Sequence, residues 1–283
     1  AFPGYRRVLA APARLRPLVD MSGAVHDVVP TGELEPVVMQ RRPVVAVNLH
    51  GRGPQSHHIV LATGPERVLA FAHREVAATA GHPHWRPDEH EVARWCRLLS
   101  EEGITADASR LDVTPLPGRV PTRARSATIV HPGAADVARR WPAERFARVA
   151  RAEASAGRTV LVTGGPDEVA LATRVATDAG LPADAVLAGR TDLAQLARAV
   201  AVAGRVVSGD TGIAHLATAL RTPSVLLFGP TSPAAWGPPP ERRWHRVLWA
   251  GRTGAPHGAR PDPGLLEIAV DDVLAALDAL PNR

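Results

Sequence analysis

Short apolar runs alternate along this chain with stretches in which apolar residues return every three to four positions. That rhythm predicts strands alternating with helices, and hence α/β layers built on parallel sheets. In the first part, residues 7–10, 28–29 and 44–48 read as strands. Residues 86–102 read as a helix, with Val92, Trp95, Cys96 and Leu99 on one face and Gly103 ending it. Cys96 lies on that apolar stripe and reads as a core residue rather than a nucleophile. Pro115, Pro117 and Pro121 make residues 112–125 resist both helix and sheet, so the link between two domains is expected there.

The second part is more regular. Residues 127–131, 158–163, 205–208 and 224–228 read as strands. Helices are expected from Pro142 to 156, over 167–179 with Gly180 as the stop, from a Thr191 or Asp192 cap to 203, and over 213–220. A last helix, 265–280, follows an irregular stretch at 252–263. These βα steps describe a doubly wound nucleotide-binding half.

Three strand-to-helix turns in this half open at one edge of the sheet, where parallel folds bind ligands. The first is His131–Pro132–Gly133–Ala134, with Arg139 and Arg140 shortly after it. Small residues let a ligand approach the backbone, and the arginine pair either meets phosphate oxygens or forms a solvated face. The second turn, Gly164 to Glu168, offers carboxylates that serve ribose hydroxyls or the start of the next helix. The third, Ser208 to His215, is the most informative. Gly209 and Gly212 are expected to permit a tight turn, and the amides of Thr211, Gly212 and Ile213 point out of a helix start, where a diphosphate gains hydrogen bonds and the helix dipole together. Asp210 reads as a helix cap or as an acceptor for sugar hydroxyls, and His215 as a core histidine or a functional one.

Composition narrows the classes. The chain has 283 residues, 45% hydrophobic and 22% charged, enough to bury a core. It contains no lysine, so all 33 basic residues are arginine and the net charge is +5. Those arginines are dispersed rather than striped, which argues against nucleic-acid binding, and GC-rich coding accounts for them. One cysteine excludes an intramolecular disulfide framework and suits a reducing compartment. No run is long and apolar enough to span a membrane. Seven histidines between residues 50 and 90 lack ligand spacing, so no metal site is expected.

In order and spacing, these turns resemble glycosyltransferase family 9, the family of bacterial lipopolysaccharide heptosyltransferases. The carrying residues are IVHPGAADVARRWPAERFARVA (129–150), VLVTGGPDE (160–168), LAGRTDL (187–193) and VSGDTGIAHLATALRTPSVLLFGPTSPAAWGPP (207–239). VNLHGRGPQSH (47–57) and FPGYRRVLAAP (2–12) add weaker support. The resemblance implies a GT-B architecture: two Rossmann-like domains with doubly wound parallel sheets facing a cleft. The expected bounds are an acceptor-side domain at 1–122, a donor domain at 123–264, and a terminal helix at 265–283 that crosses back to the first domain.

It further implies an inverting, metal-independent transferase without cofactor, acting in the cytoplasm on a nucleotide-diphosphate sugar and a glycan or small-molecule acceptor. Arg139 and Asp210 take the catalytic roles. Donor contacts fall on Gly133, Ala134, Arg140, Gly164, Glu168, Thr211, Gly212, Ile213 and His215, with Glu168 where the family places a ribose contact. Acceptor contacts fall on Asn48, His50, Ser56 and His57. Many relatives carry lysine at the place of Arg139. The family's aspartate base belongs to a first βα unit expected to precede Ala1. Its place could otherwise be taken by His50 or His57, or the chain binds sugar nucleotide or glycan without catalysis. An epimerase of similar fold fits the motif order less well. Peripheral contact with a membrane through the arginine excess is compatible with this reading, and oligomeric state is left open.

Overall fold

The computed structural model describes residues 1–281, which fall into two compact units, Ala1–Leu111 and a second beginning at Asp112. In the first, the elements run β1 (Val8–Ala11), α1 (Arg16–Ser22), β2 (Asp27–Pro30), β3 (Val45–Val47), α2 (Gln55–Ala62), β4 (Arg67–Leu69) and α3 (Glu91–Glu101). The strands form two parallel pairs, β1 with β2 and β3 with β4, starting at Val8 opposite Asp27 and Val45 opposite Arg67. The apolar periodicity of α1 and α2 is too short to announce them in sequence.

Helix α3 is shorter than the pattern predicts because its first turn is diverted. The Arg94 guanidinium donates to the carbonyls of Arg86, Pro87 and Glu89, at 3.2, 3.2 and 2.9 Å, holding that stretch as a loop. His90 then caps the helix, accepting from the Val92 amide. Cys96 is partly buried on this helix, and burial pushes its thiol pKa up, the opposite of an activated nucleophile.

The second unit runs β5 (Thr128–His131), α4 (Ala143–Ser155), β6 (Val160–Val162), α5 (Val169–Ala179), α6 (Leu193–Val202), β7 (Arg205–Gly209), α7 (Gly212–Ala219), β8 (Ser224–Phe228), α8 (Pro233–Trp236), β9 (His245–Trp249), α9 (Pro263–Glu267) and α10 (Val270–Asp278). Its strands make one parallel sheet in the order β6-β5-β7-β8-β9. The chain steps outward from β5 to β6, then returns past β5 to lay down β7. The point of reversal therefore lies between β5 and β7, where His131 stands opposite Ser208. Strand β9 escaped the sequence reading because it is a five-residue edge strand with Arg246 and Val247 exposed.

An extended core cluster packs on one face of this sheet. Val130, Val162, Val207 and Leu227 meet Phe146 and Val149 of α4, Val175 of α5, and Val273 and Leu277 of α10. Each such side chain contributes roughly 1.5–3 kcal/mol by leaving water. Glu153, buried in α4, accepts from Thr128 Oγ1 at 2.6 Å and Arg158 Nε at 3.0 Å, which keeps its charge paired. The proline-bearing stretch after Asp112 is pinned to this unit: the Val113 amide donates to Ala219 and Arg198 donates to the carbonyls of Leu116, Pro117 and Arg119.

The expected terminal helix is two helices, and its apolar stripe packs into this unit's own core. The break falls at Ile268, whose carbonyl accepts from Trp141 Nε1 at 3.1 Å and Arg145 Nη1 at 2.8 Å. Asp262 caps α9, and Asp272 accepts from the Ala269 amide at the start of α10. Fully buried Trp141 also packs edge-on against Phe146, ring centres 5.0 Å apart. Trp141→Ala is expected to cost about 3–5 kcal/mol in urea unfolding of the second unit.

His245 sits buried at the start of β9, 2.7 Å from Ser224 Oγ. Burial, aided by the Arg242 charge, lowers its pKa from 6.5 to about 4. The unfolded chain thus binds a proton in that window that the folded chain refuses. Stability is expected to be complete above pH 6.5 and to fall by as much as about 3 kcal/mol toward pH 4. His245→Gln should flatten that slope in denaturation measured across the window.

Candidate functional site

The carboxyl ends of β5, β6 and β7 bring together Gly133, Ala134, Arg139, Arg140, Gly164, Glu168 and the turn from Asp210 to His215. At the reversal point, the segment carrying Arg139 passes over the end of β7. A Cβ on Gly209 would meet the Arg139 carbonyl oxygen at 3.0 Å, so glycine is there for close approach. Gly212 differs: a Cβ there would meet nothing within 4 Å, and the residue is exposed. Neither glycine has a positive φ, so the turn they were expected to permit does not draw on the left-handed region. Gly209 makes room for protein, and Gly212 leaves the mouth of α7 open.

Helix α7 starts from Thr211, whose side chain makes no capping hydrogen bond. Its first amides and the positive end of its dipole face that open space. Ile213 buries its side chain in the core and offers only its backbone here. Beside the mouth, the Arg139 guanidinium donates through Nη1 to the Asp210 carbonyl at 3.3 Å and through Nη2 to Asp136 Oδ2 at 2.9 Å. Its Nε is buried and has no partner among the described residues. The neighbouring Arg140 donates through Nε to the Ala134 carbonyl at 2.8 Å and braces the first turn.

Asp210 is buried, and burial raises its carboxyl pKa against the pull of His215, Arg139 and a hydrogen bond from Thr231. It does not cap α7, for which Thr211 is the first residue outside. His215 is exposed one turn into α7, its ring 6.2 Å from that of half-exposed Trp236 in α8, so the core-histidine alternative is set aside.

On the other flank, the Glu168 carboxylate folds back to accept from the Gly165 amide at 2.8 Å. It stands directly over Gly133, where a Cβ would collide with it. Gly164 is similarly tight: a Cβ there would lie 3.0 Å from Glu168 Cβ and 3.2 Å from Ala188 Cβ. His131 lies behind this carboxylate, Nε2 3.9 Å from Glu168 Oε2, and shares a 2.9 Å hydrogen bond with Thr163 Oγ1. Burial lowers the His131 pKa and outweighs the attraction of Glu168, so the ring is neutral at neutral pH.

The residues expected on the acceptor side lie in the first unit, at the carboxyl end of β3. Asn48, Ser56 and His57 are all buried there. Asn48 Nδ2 donates to Ser56 Oγ at 2.9 Å and to His57 Nδ1 at 3.2 Å, while His57 Nε2 donates to the Phe71 carbonyl at 2.7 Å. Both nitrogens of His57 are thus committed, and burial lowers its pKa. These three residues form a scaffold that ties β3 to α2 and to the end of β4. Asn48 Oδ1 accepts from the His50 amide at 2.9 Å, and His50 is exposed on the loop they shape. Among the other histidines, His82 pairs with Glu102, His90 caps α3, and His73 accepts from the Glu75 amide.

Sequence reasoning missed Asp136, Thr231, Trp236 and His257. Asp136 stands three residues before Arg139, a spacing that signals a pair once a helical turn is assumed. Thr231 and His257 come from loops without periodicity, and Trp236 from the four-residue α8, too short to show a period.

The sequence profile of glycosyltransferase family 9 (heptosyltransferase) matches residues 72–257, well over half of the chain. The chain belongs to glycosyltransferase family 9. Lipopolysaccharide heptosyltransferase 3 of Escherichia coli is 29% identical over 161 residues, covering 54% of this family 9 chain and 46% of that protein. Lipopolysaccharide heptosyltransferase 1 of Pseudomonas aeruginosa is 40% identical over 102 residues, covering 36% and 28%. The family 9 chain thus matches about half, or less, of the length of these curated relatives. Among solved structures, E. coli ADP-heptose lps heptosyltransferase II superposes with a TM-score of 0.72 at 21% identity, covering 98% of this chain and 90% of that one. E. coli heptosyltransferase WaaC with ADP gives 0.71 at 18%, covering 98% and 91%. These likenesses show the fold, which is GT-B. No helix among the described residues is long and apolar enough to cross a membrane.

Gly133→Ala is expected to cost about 1–3 kcal/mol by forcing the Glu168 carboxylate aside. In a Glu168→Ala background most of that penalty should vanish, as urea unfolding of the single and double variants would report.

Proposed function

We propose that this family 9 member moves a sugar, a heptose or a similar hexose, from a nucleoside diphosphate to a glycan or small-molecule acceptor. The observation that carries this is the open, side-chain-uncapped start of α7 with the Arg139 guanidinium beside it. Amides, dipole and a planar cation converge where a diphosphate would develop charge on leaving. The reaction inverts the anomeric carbon: an acceptor hydroxyl oxygen bonds to that carbon as its bond to the phosphate oxygen breaks. The hydroxyl proton passes to a base, and the electron pair leaves with the diphosphate. Arg139 and the amides of Thr211 and Gly212 hold the leaving group, so no metal and no cofactor is required.

Glu168 accepts from the ribose hydroxyls, and Asp210 accepts from a sugar hydroxyl or, through Thr231, fixes the loop above the site. An adenosine diphosphate donor is supported by the likeness to the ADP-heptose lps heptosyltransferase and to the heptosyltransferase with ADP. Such a donor suits action in the cytoplasm, with peripheral membrane contact through the arginine excess. Of the histidines considered as base, His57 has both nitrogens committed, which leaves exposed His50. The same commitment favours a second reading, a relative that binds sugar nucleotide or glycan without transferring it.

Calorimetry with ADP, UDP and GDP tests the donor site. Selective binding of ADP is expected, weakened roughly tenfold to a hundredfold in Arg139→Ala. A folded chain that binds none of the three would overturn the reading. Release of ADP from ADP-heptose on adding acceptor, undiminished by EDTA, would separate transfer from binding alone.

A further inference from the structure

We propose that Asp136 is a positioning residue for this site, holding the Arg139 guanidinium at the mouth of α7 with the help of the 252–262 loop. The inference rests on the donor-site reading above and adds to it two features that the sequence reading did not single out.

The Asp136 carboxylate meets Arg139 and His257 through one oxygen. Oδ2 accepts from Arg139 Nη2 at 2.9 Å and lies 3.2 Å from His257 Nδ1, which arrives from the loop between β9 and α9. That loop is clipped to the Asp136–Arg139 segment by its backbone. The buried Ala138 donates its amide to Gly258 at 3.2 Å, and its carbonyl accepts from the Asp262 amide at 3.1 Å. The loop is itself fastened, since the Gly254 amide donates to Pro230 at 2.9 Å and Arg252 pairs with Glu267. Asp262 turns its own carboxylate to the amides of Gly264 and Leu265, away from Arg139. Asp210 meets Arg139 from the far side through its backbone carbonyl. Arg139 is therefore held by Asp136 on one side and the β7 turn on the other, with its buried Nε uncommitted.

As a contribution to stability this pair is poor, because both side chains are about a quarter exposed, 23% and 27%. For binding it matters more. An arginine with several rotatable bonds loses their freedom when it grips an anion, and Asp136 imposes that loss before the ligand arrives. Arg139 in turn holds the Asp136 carboxyl below the usual carboxylate range, so the clamp persists at neutral pH.

The sign of the effect separates this from plain electrostatics. A carboxylate near an anion site should weaken binding, so its removal should tighten it. If Asp136 positions Arg139, removal should loosen it. The test is calorimetric titration of ADP into the full chain carrying Asp136→Ala, Arg139→Ala or both. The expected result is a loss of at least about fivefold in Asp136→Ala that disappears when Arg139 is already alanine. Asp136→Asn serves if the alanine variant fails to fold, and it too should bind more weakly than the unaltered chain. Unchanged or tighter binding in the Asp136 variants, or a loss that persists without Arg139, overturns the inference alone. An unaltered chain that binds no diphosphate overturns the donor-site reading and this inference with it.

Discussion

The Arg139 segment crosses the end of β7 so closely that a single methyl group at Gly209 would press on its carbonyl oxygen at 3.0 Å. That crossing follows from the order of the sheet. The chain leaves β5 for one edge and comes back to build β7 on the other side, so the two strand ends diverge into loops that meet over a shared crevice. Arg139 comes from the β5 side and the Asp210 turn from the β7 side. Only the absence of a side chain at Gly209 lets a cation from one reach the helix start of the other.

The crevice is built by exclusion as much as by contact. Gly133 is bare because the Glu168 carboxylate occupies the space over it, and Gly164 is bare because Glu168 and Ala188 close in. Gly212 is bare with nothing within 4 Å in front of it, so packing does not account for the missing side chain. Around this opening the charges are held apart from one another. Arg140 is tied to a backbone carbonyl, His131 is kept neutral by burial, and Asp210 is buried under Thr231. Arg139 remains the cation placed at the mouth, braced by Asp136. A site of this kind favours an anion that is multiply charged and narrow, as a diphosphate is.

The first unit shows how the same residue types serve a different end. Asn48, Ser56 and His57 are polar, close in sequence and near a strand end, the pattern that suggests ligand contact. Their hydrogen-bonding capacity is instead spent on each other and on the Phe71 carbonyl. Buried polar groups must be satisfied, and a closed network of three does this while shaping the loop that exposes His50.

Much of the second unit was legible in the sequence, because strands buried on both faces and helices with one apolar stripe impose strong local periods. Pro142, Gly180 and Asp192 marked helix ends by chemistry that acts within a few residues, and the three turns fell at one edge because parallel strands leave no other choice. What local pattern could not carry was decided by partners far away in the chain. Trp141 and Arg145 take the Ile268 carbonyl and break one expected helix into two. Arg94 unwinds the start of another by gathering three carbonyls. His257 reaches Asp136 across 121 positions, and the two reasons for glycine at Gly209 and Gly212 look identical until the neighbouring backbone is in place. The sequence by itself determined the order of strands and helices and the turns that carry small and charged residues. Which of those residues are spent on the fold and which face open space was settled only by tertiary packing, because a hydrogen-bonding group cannot be known as free until every group that could reach it has been placed.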